Sequence, residues 1–434
     1  MESVAQFNPE DVSKALTYIE GYWLELKRYH PHDEGTLVGL PRPYVVPSSQ
    51  SGEGFDFEEI YYWDSYFMAQ AFVGTTQHRL AFDIAEDLLY LMKRFRIIPN
   101  GGRTYLTSRS QPPLLTSLLW QLYNTSGNKK WFLSAMNVAK DEYRTVWMGS
   151  LQPNWRQVHH GLSRYYDANM LHALAEAESG WDMTSRFGGK CLDYTPVDLN
   201  SLLYRYEKDF EAAARLNGDN VEAAEWCSRA ATRAENMNTF MWDEYKGCFF
   251  DYNYRTNKRS DVWSLAAFYP MWAGLATKHQ AKLLVGHLDK FELEGGLTTT
   301  AAHPLHHNEM PEQWAYPNGW APLQLITIEA LERYGYHDDA RRIARKWLKT
   351  NLIMFQKTNQ FQEKYNVSDP IKPPIEGVYP SQTGFGWTNA IFAQLCLKYL
   401  EPNEIMSRAA VGIEKPKREN MRDRLLVPLR LRRL

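Results

Sequence analysis

The strongest constraint on this chain is a recurrence of apolar side chains at three- and four-residue steps along most of its length. In 78–96 (HRLAFDIAEDLLYLMKRFR), Leu80, Ile84, Leu88, Leu91 and Phe95 form one apolar stripe. Ala340, Ile343, Ala344 and Trp347 do the same in 337–355. The pattern predicts about twelve helices, over 10–30, 62–76, 78–96, 112–125, 129–148, 196–216, 219–243, 262–274, 278–290, 319–334, 337–355 and 384–400. Strand-type alternation is scarce, and the one β candidate is a hairpin over 247–254 (GCFFDYNY). Gly218 and Asp219 punctuate one helix pair and Gly335 another. Helices joined in pairs by short turns predict an all-α fold, with six hairpins closed into an (α/α)6 barrel. A helical solenoid would show a repeating sequence period, and none is present.

Four connections are long, at about 97–111, 155–195, 291–318 and 356–383. They hold most of the Gly, Trp and Pro clusters, so function is expected there. The barrel is expected to span 1–405, with 406–434 as a basic, flexible tail. Residues 414–434 carry eight Lys/Arg against three acids. A solvated tail is the simple reading, and an anchor for acidic partners or membrane surfaces is the alternative.

Charge excludes other classes. With 49 basic and 51 acidic residues, the chain lacks the excess of positive charge a nucleic-acid protein needs. No uncharged apolar run is long enough for a membrane span. The four cysteines, Cys191, Cys227, Cys248 and Cys396, lack disulfide-scaffold or zinc spacing, and the N-terminus MESVAQFNPEDVSKAL lacks a secretory pattern. A cytoplasmic protein without metal or cofactor is expected, acting as a monomer. His303, His306 and His307 imitate a metal site, but no Cys or carboxylate arrangement completes it. Asn124-Thr-Ser and Asn366-Val-Ser are glycosylation sequons, meaningful only in a secretory compartment. GGRTYLTSRSQ lacks the phosphate-loop pattern, and no GxSxG nucleophile motif occurs.

Aromatic residues make up 14% of the chain, with 15 Trp. Rings fill cores, and their flat faces also stack on sugar C–H groups. Beside these aromatics two carboxylates stand out. Asp182 follows Trp181 in a glycine-containing loop, where restricted water would raise its pKa as a general acid requires. Glu363 lies in another long loop, and a carboxylate pair across a cleft is the apparatus of glycoside hydrolysis. Spacing alone does not single this pair out among 51 acids.

Particular segments do. PRPYVVP (41–47) with EIYYWDSYF (59–67), PNGGRTYLTSRSQPP (99–113), ESGWD (178–182) followed by SRF, PVDLNSLLY (196–204), PNGWAPLQ (317–324), EKY (363–365) and GFGWTN (384–389) resemble the trehalase family of glycoside hydrolases, over roughly 15–400. The resemblance implies an (α/α)6 barrel and metal-independent, inverting hydrolysis of α,α-trehalose. It places the general acid on Asp182 and the general base on Glu363. It implies that Trp63, Asp64, Asn100, Arg109, Gln111 and Gly180 hold the cleaved sugar, together with Ser110 in the same stretch. Trp63, Trp181, Trp314 and Trp387 would form apolar walls.

Departures concentrate on the leaving-group side. Asp56 stands where the family has an arginine, and GLSRYYD (161–167) runs almost directly into ESGWD without the family's Arg-Pro-Glu segment. The family's QWD becomes Gln313-Trp314-Ala315, and a substrate-contacting Glu becomes Val378, with Glu376 nearby. An altered aglycone, such as another disaccharide, glucosylglycerate or mannosylglycerate, is therefore the alternative substrate. A silent sugar-binding protein on the same barrel is the rival from another class. A terpenoid-type enzyme lacks its acid-rich metal motif.

Overall fold

The computed structural model describes residues 7–49, 57–302, 312–377 and 379–405. Asp56, the His303/His306/His307 group, Val378 and the 406–434 tail lie outside the described residues. Thirteen α-helices are present among the described residues: α1 (Pro9–Leu26), α2 (Tyr62–Ala69), α3 (His78–Phe95), α4 (Leu115–Ser126), α5 (Lys129–Glu142), α6 (His172–Glu178), α7 (Val197–Asn217), α8 (Asn220–Phe240), α9 (Tyr269–Ala273), α10 (Lys278–Val285), α11 (Ala321–Arg333), α12 (His337–Thr358) and α13 (Gly386–Tyr399).

Burial divides them into two rings. Every residue of α2 and of α9 is buried, and α13 buries eleven of its fourteen. A helix apolar on all sides belongs inside. These helices form an inner ring that closes on itself in the order α2, α4, α7, α9, α11, α13 and back to α2. The outer helices bury one stripe only: nine of 22 residues in α12 and five of 21 in α8. The last inner helix, α13, packs against the first helix of the chain, α1. The fold is the expected (α/α)6 barrel.

Inner-to-outer turns are short because local chemistry ends and restarts the helices abruptly. Gly218 (φ +84°) terminates α7, and the Asp219 side chain accepts from the Glu222 N–H to start α8. Gly335 (φ +87°) does the same work between α11 and α12. Outer-to-inner connections are long. All of them therefore collect at the end where the inner helices begin, and this end is the mouth of the barrel. Helix N-termini present partial positive charge there.

Some expectations need correction. The 62–76 helix stops at Ala69 and continues as turns through Gly74 (φ +76°). The 262–274 helix is a 3-10 turn, Leu265–Phe268, followed by α9, which Pro270 opens. The 155–195 connection contains α6. The 247–254 hairpin does not form. Cys248–Phe249 pairs with Trp242–Asp243, whereas Tyr252–Asn253 pairs with Tyr194–Thr195 and Lys258–Arg259. Each half of that segment pairs outward with its own flank instead of with the other half, and only the second half adds a distant strand, Tyr194–Thr195. Asn366, one of the two sequons, is buried, and its side chain caps a turn at Ser368. No helix among the described residues is long and apolar enough to cross a membrane.

Candidate active site

A short ribbon organises one side of the mouth. Asn318–Trp320 pairs antiparallel with Lys364–Asn366, with Trp320 opposite Lys364. Glu363 stands just before this ribbon and is 1% exposed. Its N–H donates to the Gln382 carbonyl (2.9 Å), and its carbonyl accepts from the Trp387 indole N–H (3.2 Å). Its carboxylate is held at both oxygens: the Tyr379 hydroxyl donates to Oε1 (2.9 Å) and Lys364 Nζ to Oε2 (2.9 Å).

Asp182 comes from the opposite loop, just after α6. Gly180 has φ +73°, and a Cβ there would lie 2.7 Å from the Trp63 indole, so only glycine lets this loop rest on that ring. The Asp182 carbonyl accepts from Gln313 Nε2 (2.6 Å). Burial pushes the Asp182 carboxyl up to about 7, and the charge of Glu363 acts in the same direction. Arg109 and Lys364 pull it down by less. Asp64, in the first turn of α2, is pushed up to about 8 by burial, with Glu363 and Asp182 adding to the effect. The fold therefore brings three carboxyl groups, two from loops and one from the first turn of α2, within electrostatic reach of one another.

Gln313 links the two sides. Besides Asp182 its side chain bonds Tyr379, and its carbonyl accepts from Asn318 and from the Trp320 indole N–H, both at 3.0 Å. Trp314 stacks on Trp320, with ring centroids 3.7 Å apart, and on Trp181 at 5.9 Å. Trp63 and Trp387 abut the same cluster. All five rings are buried, so they form a joined aromatic floor more than free-standing walls. The indole N–H groups of Trp181 and Trp314 have no hydrogen-bond partner among the described residues.

The remaining expected site residues divide by what their polar groups do. Arg109 donates to Asp167 (3.2 Å), while its Nε has no partner among the described residues. Asn100 donates to the carbonyls of Ser110 and Ala177, tying its loop to α6. Gln111 Oε1 accepts from the Trp63 N–H (2.9 Å) and so fixes the start of α2. Ser110 is fully buried. Its N–H goes to Glu178 and its hydroxyl to the Ile98 carbonyl, so it supports the loop and cannot reach a sugar.

Sequence reasoning missed the supports. Glu178 is a buried hub that receives the Arg156 guanidinium at both oxygens and the N–H groups of Ser110 and Tyr166. Arg186, of the SRF segment, bridges Asp198 (2.7 Å) and Asp251 (2.8 Å) and lies 4.2 Å from the Trp181 ring centroid. Lys364 lies in the EKY segment, Gln313 opens the altered QWD segment and Tyr379 directly follows Val378, so adjacency was the available signal. Arg156 lies in no motif. No group of three or more His, Cys, Asp or Glu among the described residues is arranged to hold a metal ion.

The family model described as Trehalase matches residues 5–176 and 152–400. The chain is 31% identical to the cytosolic neutral trehalase of Saccharomyces cerevisiae over 459 residues, which is 87% of this chain and 59% of that protein. It is 32% identical to the periplasmic trehalase of Xanthomonas campestris pv. campestris (strain B100), covering 90% and 74%. The solved structure of neutral trehalase Nth1 from Saccharomyces cerevisiae superposes with a TM-score of 0.72 at 30% identity, covering 86% of this chain and 75% of that one. The chain thus spans about three fifths of the length of its yeast relative. With the six-hairpin ring and most of the motif segments gathered at one mouth, these matches establish that the chain belongs to the trehalase family.

Proposed function

We propose that this protein is an inverting α-glycosidase that hydrolyses α,α-trehalose to two molecules of glucose. One observation carries the reading: a buried carboxyl held up near neutrality, Asp182, lies within electrostatic reach of a buried carboxylate ion-paired to lysine, Glu363. Acid and base catalysis need such opposite protonation states in one site. Glu363 would take a proton from a water whose oxygen attacks the anomeric carbon. Asp182 would give its proton to the departing glycosidic oxygen. The cycle ends when the proton on Glu363 leaves to solvent and Asp182 regains one.

Asp64, protonated at neutral pH, would both donate to and accept from sugar hydroxyls. Arg109 Nε and the indole N–H groups of Trp181 and Trp314 are further donors for the same ring. Ser110 is withdrawn from the substrate contacts for the reason given above.

The test is a rate comparison on trehalose, maltose, glucosylglycerate and mannosylglycerate, with the product anomer followed by NMR. Trehalose should be cleaved fastest, releasing the β-anomer at the attacked carbon. The α-anomer appearing first would replace inversion with retention. A faster glyceroside would favour the altered-aglycone reading. One observation supports that reading: Asp167 meets Arg109 where GLSRYYD runs into α6 without the family's usual insertion. Binding of the sugars without hydrolysis would leave a carbohydrate-binding protein.

Gly180→Ala is expected to lower kcat/KM about 100-fold, because the loop bearing Asp182 must lift off the Trp63 ring. Unaltered kinetics in the folded variant would show that this contact does not set the position of Asp182.

A further inference from the structure

We infer that Lys364 is the positioning residue of the general base, its ammonium holding the Glu363 carboxylate ionised and aimed into the chamber. This rests on the role given to Glu363 in the proposed function. Lys364 is 0% exposed and the Nζ–Oε2 distance is 2.9 Å. Its Nζ also lies 5.1 Å from the Trp320 ring centroid and 5.8 Å from that of Tyr379. A buried ammonium needs a charged partner, and here that partner is the side chain immediately before it. Successive residues of an extended chain point to opposite faces. The ammonium nevertheless returns to the carboxylate of its own neighbour.

The groups facing Glu363 show what the lysine contributes. Tyr379 donates to Oε1, and the charge of Glu363 helps push both Asp182 and Asp64 upward, so these two carboxyls keep their protons close beside it. Arg109 acts from the far side, on Asp182. A carboxylate buried beside two other carboxyls would ordinarily take up a proton and cease to be a base. An ammonium at hydrogen-bond distance opposes that proton. It also opposes retention of the proton taken from water, so Glu363 is reset once product leaves. Asp182, further from the cation and dominated by burial, remains the proton donor.

The experiment is the pH profile of kcat/KM for wild type, Lys364→Met and Lys364→Arg, on the best substrate of the panel, with thermal unfolding measured alongside. Loss of the adjacent positive charge should move the acidic limb of the Met variant up by about 1–3 pH units. Its maximum should fall at least about tenfold, with the remaining activity crowded against the Asp182 limb near pH 7. The Arg variant, which keeps the charge, should hold the wild-type limb. A Met variant whose limbs stay in place while activity falls equally at every pH would overturn the inference, as would unchanged activity. Should the Met variant fail to fold, the Arg variant decides. An acidic limb in place supports the inference, and one displaced by a unit or more overturns it. Wild-type protein inactive on every glycoside would instead remove the function on which the inference stands.

Discussion

Asp182→Asn and Glu363→Gln are each expected to lower kcat on trehalose by about 10²- to 10⁴-fold, equivalent to roughly 3–5 kcal/mol of transition-state stabilisation. Asn keeps the shape of Asp182 but has no proton of suitable acidity for the leaving oxygen. The backbone bond from Gln313 to its carbonyl survives the change, so the loop should stay in place. Gln at 363 keeps one acceptor oxygen, so it can accept from Tyr379 or from Lys364 but not from both where they now stand, and it cannot take a proton from water. Wild-type activity should decline as pH rises through about 7, where Asp182 loses its proton. That decline should be missing from any residual activity of the Asn variant. Steady-state rates with a circular-dichroism check of folding make the measurement, and near wild-type turnover by either variant would withdraw the assignment.

The second large effect is on stability. Glu178→Ala is expected to cost about 3–5 kcal/mol, because it strands the Arg156 charge in the interior. The two side chains are 2% and 0% exposed, so water cannot replace the lost partner. The N–H groups of Ser110 and Tyr166 lose their acceptor at the same time. For a chain this long the midpoint should fall by roughly 3–6 °C. Glu178→Gln, which retains an acceptor but not the charge, should fall between. A thermal scan showing a loss under about 1 kcal/mol for the Ala variant would mean the mouth loops are held by other contacts.

The outer helices were legible because each writes its buried stripe into the sequence, as Leu80, Ile84 and Leu88 do in α3. The inner helices write less. α2 and α9 are buried on every side, so apolar periodicity gives no edge, and their ends were drawn too late or too early. Glu363 and Asp182 could be found because motif resemblance marked their loops. Lys364 could not, since spacing rules assign adjacent residues to opposite faces. Glu178 and Arg156 meet across a loop of 22 residues through a fold that only tertiary packing creates.

The pairing of α1 with α13 has a bearing on biosynthesis. Val12, Leu16, Ile19 and Trp23 on α1 are buried in the finished protein, yet the helix that helps cover them ends at Tyr399. At translation speeds of about 5–20 residues per second, the ribosome delivers that cover roughly 20–75 s after α1 emerges. For that interval the nascent chain carries an oily amphipathic helix with no resting place. Closure of the ring therefore waits on its last inner helix, and until α13 arrives the buried face of α1 needs cover from elsewhere.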